Sequence, residues 1–301
     1  MASLGKKDKN TLRGFKLQFD QLIKSKGATG ITIDEALESI KIVLEKTIGT
    51  LGENGKTSLI RSQKPIKLIH EAVKTLLISS GINQANIKPK LGTSSGELKL
   101  SGFLKKKDQD ICIVPTGKQA TSETMVDGLL AGHKDIFGTT LTENIISINV
   151  RSQLSSLGNN IDTLYERTFA EAMNLHMRCP KMCLGEVYMI PVFEYHKHKA
   201  QKKQIDWVTT MSPIETYIKA FNAINLRKIV TDEFYKYERV CLLIVDFSKQ
   251  KPKLYHTDAE LKADGLIPQG STASMTGLDY TNFVTDILQI YTARFPANTF
   301  I

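Results

Sequence analysis

One run of the chain, residues 145–156, constrains the fold more than any other because it is rich in β-branched residues and also polar. It reads IISINVRSQLSS. Side chains alternate between the two faces of a strand, so Ile148 and Val150 share an apolar face. The opposite face carries Ser147, Asn149, Arg151 and Gln153. We therefore expect either a half-exposed strand with a solvated face or a strand whose polar face lines a functional site.

Around this run the pattern changes from helical to strand-like near residue 96. Helices are predicted at 32–49, 65–81, 159–178, 213–229 and 280–294. Strands are predicted at 96–104, 110–115, 145–152, 183–195 and 240–248, with KKKDQ at 105–109 as a connection. The segment GENGKTS at 52–58 lacks the first glycine of a phosphate-binding loop and is interpreted as an interhelical loop. The order favours one compact α/β unit with helical additions.

Charge and composition narrow the class of protein. The formal net charge is +9, which favours a polyanionic partner such as nucleic acid, because basic loops neutralise phosphates without reading sequence. No apolar run reaches the roughly 18 residues that span a bilayer, and no apolar segment of a secretory signal follows the basic start, so no membrane association is expected. The four cysteines lack framework spacing and predict reduced thiols in a cytoplasm.

The elements from 65 to 195 follow the order helix, three strands, helix, strand. Asp110 begins the second of these strands, and Asn149 and Arg151 lie on the third. This pattern resembles the core of the PD-(D/E)xK nucleases, the group that contains many type II restriction endonucleases. The resemblance implies an α/β fold with a restriction-endonuclease-like mixed β-sheet core of order αβββαβ, flanked by helices.

The resemblance covers roughly the middle half of the chain and leaves both ends unexplained. The helical pattern at the start predicts an N-terminal helical region at 1–64, a candidate by elimination for DNA contact or dimerisation, before a nuclease-like α/β core with helical insertions at 65–301.

The chain departs from this family on the third strand. The family carries acid-x-Lys there, whereas this sequence has Asn149 and Arg151. An amide is a weaker metal ligand than a carboxylate, and arginine cannot act as a base near neutral pH. Some restriction enzymes move the missing carboxylate to the following helix. The resemblance therefore implies Glu166, chosen for its distance from Arg151, with Glu171 as the alternate.

The resemblance also implies a Mg²⁺ cofactor, since Mg²⁺ prefers oxygen ligands and activates water for phosphodiester hydrolysis. The expected metal ligands are Asp110 and Glu166, with Glu71 on the preceding helix as a further acid. The expected catalytic residues are Asp110, Asn149, Arg151, Glu166 and Glu171.

Other assignments of the same residue types stay open. A literal E-x-K occurs at 97–99 on the first strand, although the family order would then be rearranged. Glu186, on the strand after the helix, is another acid that could join a metal site. A structural ion pair of Arg151 with Asp162 or Glu166 is the non-functional alternative.

The function implied by the resemblance is that of a type II restriction endonuclease, which hydrolyses phosphodiester bonds in double-stranded DNA at a specific sequence. A homodimer is expected because two strands need two active centres. The N-terminal helices and segments 116–144 and 196–210 are candidates for dimer contacts and groove readout. The residues expected to contact DNA are Lys105, Lys106, Lys107, Gln153, His196, Lys197, His198, Lys199, Lys202 and Lys203. Two alternatives are a non-catalytic DNA-binding protein with a degenerate nuclease core, and a nuclease of the same fold acting on RNA or branched DNA.

Overall fold

The computed structural model describes residues 4–93 and 95–300, apart from the side chains of residues 159, 160 and 164. The α-helices in this part of the chain are α1 (Lys6–Ser25), α2 (Ile33–Arg61), α3 (Ile66–Ser79), α4 (Gly138–Thr142), α5 (Leu157–His176), α6 (Lys197–Gln201), α7 (Ile214–Ala223), α8 (Asp258–Ala263) and α9 (Tyr280–Arg294). The strands are β1 (Ile87–Lys88), β2 (Leu98–Ser101), β3 (Lys106–Gln109), β4 (Ile111–Ile113), β5 (Glu123–Thr124), β6 (Lys134–Asp135), β7 (Ile146–Ser152), β8 (Cys183–Pro191), β9 (Arg239–Asp246) and β10 (Lys253–Tyr255). No helix in the described residues combines the length and the apolar composition that crossing a membrane requires.

Six strands form one central mixed sheet in the order β1-β4-β7-β8-β9-β10. The pairs β1–β4, β4–β7 and β9–β10 are antiparallel, whereas β7–β8 and β8–β9 are parallel. In the register, Ile111 of β4 lies opposite Ile148 of β7, and Asn149 of β7 lies opposite Glu186 of β8. The expectation of a mixed α/β fold with flanking helices is thus confirmed.

The sheet separates two apolar cores. One core contains Ile148 and Val187 of the sheet together with residues of α1, α2, α3 and α9. The other contains Leu184 and Tyr188 together with residues of α5, α7 and α8. Residues of α1 and α2 share the first core with the sheet, and α3 lies against the polar strand β7, so the N-terminal helices belong to the same core as this sheet.

The interhelical loop predicted at 52–58 is wrong, because this segment lies inside α2. Gly52 has φ 65° and ψ −157°, which kinks the helix without ending it. A Cβ atom at Gly52 would lie 2.9 Å from the carbonyl oxygen of Ala200 in α6. Glycine disfavours helices in general, but here it permits the close approach of α6.

The connection predicted at 105–109 is also wrong, since most of it is strand β3. It pairs antiparallel with β2, with Leu98 opposite Gln109 and Ser101 opposite Lys106. Asn174 of α5 holds the turn of this hairpin, because its Oδ1 accepts hydrogen bonds from the Leu104 N–H at 2.7 Å and the Lys105 N–H at 3.1 Å. The hairpin is therefore fastened to α5 beside the polar face of β7.

Candidate active site

Asp110 lies immediately before β4 and is anchored to the neighbouring strand. Its Oδ2 accepts a hydrogen bond of 2.9 Å from the backbone N–H of Val150 in β7. Burial raises the pKa of this carboxyl, while the Val150 N–H and the positive charges of Lys67 and Lys107 oppose the rise. The backbone bond fixes the carboxylate at the edge of the polar face, as a ligand or base position would require.

Arg151 is the centre of a group of polar side chains that we name the Arg151 cluster. Its members are Asp110, Asn149, Arg151, Glu171 and Glu186. The Nε of Arg151 lies 3.2 Å from Oε1 of Glu186 in β8. On the other side the guanidinium pairs with Glu171 of α5, and its Nη1 donates to the hydroxyl of Thr168 at 3.2 Å. Arg151 thus joins the sheet to α5, and both its ion pairs differ from the structural partners considered from the sequence.

Glu186 is the most unusual member of the Arg151 cluster. Its side chain is 0% exposed, and burial raises its pKa to about 7 against the opposing charges of Arg151 and Lys107. Its Oε1 faces Nε of Arg151, and the carboxylate also interacts with Asn149, its register partner, and with Tyr237. Among the described residues, no hydrogen bond of ordinary geometry reaches its Oε2 or Oδ1 of Asn149. Buried polar atoms are almost always hydrogen-bonded, and perturbed acids cluster at functional sites. These atoms mark the polar face of β7 as a candidate active site.

Two of the expected acids are not brought to the Arg151 cluster. Glu166 is exposed on α5 and lies about 140° around the helix from Glu171. Glu71 is buried, but it pairs with Lys74 at 2.6 Å and accepts a 2.6 Å hydrogen bond from the Gly92 N–H. The alternate acid Glu171 joins the cluster, whereas Glu166 and Glu71 do not.

The E-x-K sequence at 97–99 lies outside the Arg151 cluster. In the ion pairs of the described residues, neither Glu97 nor Lys99 contacts a member of that cluster. Glu97 pairs with Lys67 of α3, and Lys99 lies 4.0 Å from Asp108 across the hairpin. Lys67 nevertheless influences the charge on Asp110, so this pair borders the cluster.

Gln153 is placed differently from the DNA contact expected of it. Its side chain is 6% exposed, and its Oε1 accepts hydrogen bonds from the hydroxyls of Tyr188 at 3.3 Å and Tyr217 at 2.5 Å. Its Nε2 donates to the carbonyl of Ser156 at 3.0 Å. Burial and these hydrogen bonds at both ends of the amide make Gln153 a support for the β7–α5 connection.

The basic residues expected to contact DNA occupy two places. In the hairpin, Lys105 is exposed, Lys106 donates to the carbonyl of Lys134 at 2.5 Å, and Lys107 turns inward to pair with Glu171. In and after α6, His196 accepts a hydrogen bond from the Lys199 N–H and caps the helix. The exposed members there are Lys197, His198, Lys199, Lys202 and Lys203.

The donor atoms of the cluster suit a hard cation only in part. Within residues 4–93 and 95–300, no group of three or more histidine, cysteine, aspartate or glutamate side chains is placed to hold a metal ion. Asp110 and Glu186 supply two carboxylates, and the free Oδ1 of Asn149 supplies a third oxygen. Mg²⁺ is commonly held by one or two carboxylates plus substrate phosphate and water, so these donors match the type of ligand that Mg²⁺ takes.

From the sequence, Glu186 is expected only as an alternative acid and Lys107 only as a DNA contact. The structure places both side chains at the Arg151 cluster. A signal existed for Glu186, because it is the one charged residue in the strand sequence CLGEVYMIP, and a buried charge in an apolar strand needs a partner or a role. For Lys107 no signal existed, since the three successive lysines look alike until the hairpin is folded.

Comparisons of the chain with models of protein families, with curated proteins and with solved structures each found no match. The likeness to nucleases therefore depends on the residues and the order of elements alone. The chain has a mixed α/β fold with flanking helices.

Proposed function

We propose that this protein is a Mg²⁺-dependent endonuclease of restriction type that hydrolyses phosphodiester bonds in double-stranded DNA. The observation that carries the proposal is the Arg151 cluster, in which Asp110, Asn149 and the fully buried Glu186 lie around one arginine at the polar face of β7.

Part of the surroundings of the cluster supports the proposal, because the central-sheet strands β1, β4 and β7 come between α3 and α5 in chain order and β8 follows α5, with β2, β3, β5, β6 and α4 inserted among them. The strand expected first from the sequence, 96–104, contains β2 and belongs to the separate β2–β3 hairpin. Asp110 precedes β4, the second of these central-sheet strands, and Arg151 lies on β7, the third.

Asp110, Glu186 and Asn149 would hold the metal ion. Bound Mg²⁺ supplies polarisation of the phosphate and a lowered pKa of bound water. In the proposed reaction the oxygen of a water molecule bonds to phosphorus while the bond from phosphorus to one sugar oxygen breaks. One proton of that water goes to solvent, and the departing sugar oxygen takes up a proton.

The protein's own residues hold and neutralise the reacting groups. The Val150 N–H orients Asp110, and Arg151 places a permanent positive charge beside Glu186 and Glu171. Preorganised charge of this kind stabilises the negative charge that develops on the phosphate oxygens.

The exposed basic residues of α6 supply the binding surface for the sugar–phosphate backbone. β7 and β8 are parallel, so their carboxyl ends lie at the same edge of the sheet. Helix α6 follows β8, and Arg151 lies near the end of β7. Because Ala200 of α6 belongs to the core of α1–α3, on the other face of the sheet from α5, these lysines would contact the DNA backbone at this edge and not beside the cluster itself. Such binding weakens steeply with salt.

A non-catalytic DNA-binding protein is the second candidate, and one observation favours it. The guanidinium of Arg151 is already engaged by Glu171, Glu186 and Thr168. A cluster satisfied from within would stabilise the fold and leave DNA binding to the surface lysines.

Cleavage of plasmid and phage DNA with Mg²⁺ separates the two candidates. Wild-type protein and Asp108→Asn are expected to give the same defined fragments, while Asp110→Asn loses at least about a hundredfold in rate. Asp108 is the matched control because it is exposed and two residues from Asp110. Binding without cleavage by the wild type, with Mg²⁺ or Mn²⁺, would support the second candidate. RNA and branched DNA in parallel reactions test the alternative substrates.

A further inference from the structure

Strand β3 presents its residues alternately toward and away from the polar face of β7. Gln109 is buried and its Oε1 accepts a 3.0 Å hydrogen bond from the hydroxyl of Ser147 in β7. Lys107, two residues earlier, lies on the same side of the strand. Lys106 points away and donates to the carbonyl of Lys134. Of the two lysines within β3, Lys107 therefore faces the Arg151 cluster and Lys106 faces away from it. Lys105 lies before the strand.

Lys107 lies where the Arg151 cluster opens to solvent. Its amino group pairs with Oε1 of Glu171, whose Oε2 faces Arg151. The Lys107 side chain is 30% exposed, whereas that of Arg151 is 19% exposed. Burial, followed by the charge of Arg151, lowers the pKa of Lys107 to about 8, and the charges of Glu186 and Asp110 act on it as well. Its ammonium therefore stands between the inner carboxylates and the side from which a substrate would approach.

Arg151 is held more tightly than Lys107. Nε, Nη1 and Nη2 of the arginine each face a partner, namely Glu186, Thr168 and Glu171. An ammonium carries three rotatable donors on a flexible stem, and Glu171 is the ion-pair partner that the structure shows for Lys107. Lysine can turn a donor to a phosphate oxygen while it keeps this pair, whereas the guanidinium is fixed in position by partners on two elements, β8 and α5.

We propose that Lys107 is a catalytic residue of the proposed nuclease, contacting the scissile phosphate and orienting the attacking water, while Arg151 fixes the carboxylates. This inference rests on the proposed function. Arg151 stands on β7 where the nucleases that this chain resembles carry a lysine, and the role of that lysine falls to Lys107 of the hairpin. Lys107 therefore differs in role from the lysines of α6, which bind the DNA backbone.

The test is single-turnover cleavage of duplex DNA by the full chain with Mg²⁺, with DNA affinity measured separately in Ca²⁺. Lys107→Met is expected to lower the rate at saturating enzyme at least about a hundredfold and to weaken binding less than about fivefold. Lys253→Met is the matched control, since Lys253 is a strand lysine in an ion pair of similar exposure, 38%, at the far edge of the sheet. It is expected to cleave at the wild-type rate.

Two further variants separate catalysis from support of the fold. Glu171→Gln removes the ion pair but keeps the ammonium, and it should lose less than about tenfold in rate. A loss as large as that of Lys107→Met would show that the lysine only positions Glu171 and would overturn the inference. Lys107→Gln replaces the methionine variant if the latter does not fold, as judged by circular dichroism.

The possible results test the role of Lys107 separately from the proposed nuclease activity. Cleavage by Lys107→Met at the wild-type rate overturns the role of Lys107 and leaves the proposed nuclease standing. A wild-type protein that cuts no nucleic acid with Mg²⁺ or Mn²⁺ overturns both. Loss of cleavage together with an equal loss of DNA affinity makes Lys107 a binding residue and contradicts the catalytic role.

Discussion

Two fully buried glutamates lie in neighbouring parts of the sheet and differ in nearly every contact. Glu238, immediately before β9, is surrounded by donors: the Leu184 N–H at 2.7 Å, Arg294 at 2.7 Å and Arg227 at 3.3 Å. His176 lies 3.4 Å away. We name these side chains, His176, Arg227, Glu238 and Arg294, the Glu238 cluster. Burial alone would raise the pKa of Glu238, but His176, Arg294 and the Leu184 N–H outweigh it and lower the pKa.

Glu186 is as deeply buried as Glu238, but its pKa shifts in the opposite direction. Burial dominates, its pKa rises to about 7, and its Oε2 lacks a hydrogen bond of ordinary geometry from the described residues. A buried acid with all its donors stabilises a fold, while one left partly unsatisfied is retained at a cost to stability. The comparison indicates a structural role for the Glu238 cluster and a chemical role for the Arg151 cluster.

The largest expected difference between the two clusters is in stability. Glu238→Gln leaves the buried Arg227 without a carboxylate, so the free energy of unfolding should fall by about 3 kcal/mol or more. Glu186→Gln leaves Arg151 paired with Glu171 and removes a carboxylate whose burial is poorly compensated, so the free energy of unfolding should fall by less than about 1 kcal/mol. Urea denaturation at pH 7, followed by circular dichroism, measures both. Equal losses in the two variants would contradict the distinction between the clusters.

The next difference is in the dependence of stability on pH. The pKa of Glu186 is raised in the folded state from 4.5 to about 7, so the folded protein holds this proton more tightly than the unfolded chain does. Stability from this residue is therefore present at low pH and is lost as the pH rises through 7, by about 2 kcal/mol between pH 5 and pH 8.

Denaturation of the metal-free protein in EDTA at both pH values checks this slope. Glu186→Gln should reduce the fall in stability by that amount, and Glu166→Gln, at an exposed site on α5, should leave it unchanged. An unaltered slope in Glu186→Gln would mean that the acid is ionised throughout this range.

The smallest expected effect concerns metal binding. Mn²⁺, a paramagnetic substitute for Mg²⁺, should bind Glu186→Gln at least about tenfold more weakly than the wild type, since one of two carboxylate ligands is lost. Glu166→Gln should bind it within about twofold. Electron paramagnetic resonance titration of the free ion gives both dissociation constants. The reverse order of the two variants would restore Glu166 as the helix acid of the site.

The sequence predicted those parts of the site that depend on alternation along one strand. The two faces of β7 followed from period two, and Asp110 followed from its position at a strand start. The choice between Glu166 and Glu171 depends on the rotation of α5 against the sheet. The buried side of α5 includes Thr168 beside Ala172 and Leu175, and a threonine gives no apolar signal in a sequence.

Other features depend on contacts between distant segments. The kink at Gly52 reflects the approach of α6, almost 150 residues away in the chain, and its local sequence favours a loop. The inward turn of Lys107 depends on a hairpin whose lysines are locally indistinguishable. Local propensity cannot determine either feature, because both are decided by tertiary packing.

The contact between Asn174 and the β2–β3 hairpin limits how this hairpin can be grafted into another protein. A Cβ atom at Gly102 would lie 2.3 Å from Nδ2 of Asn174, so the tip of β2–β3 is fitted to one amide on α5. The same helix carries Glu171, the partner of Lys107. Hairpin and helix thus form a single module. A graft of the hairpin into another scaffold must bring the last two turns of α5 with it, or the lysine loses its alignment.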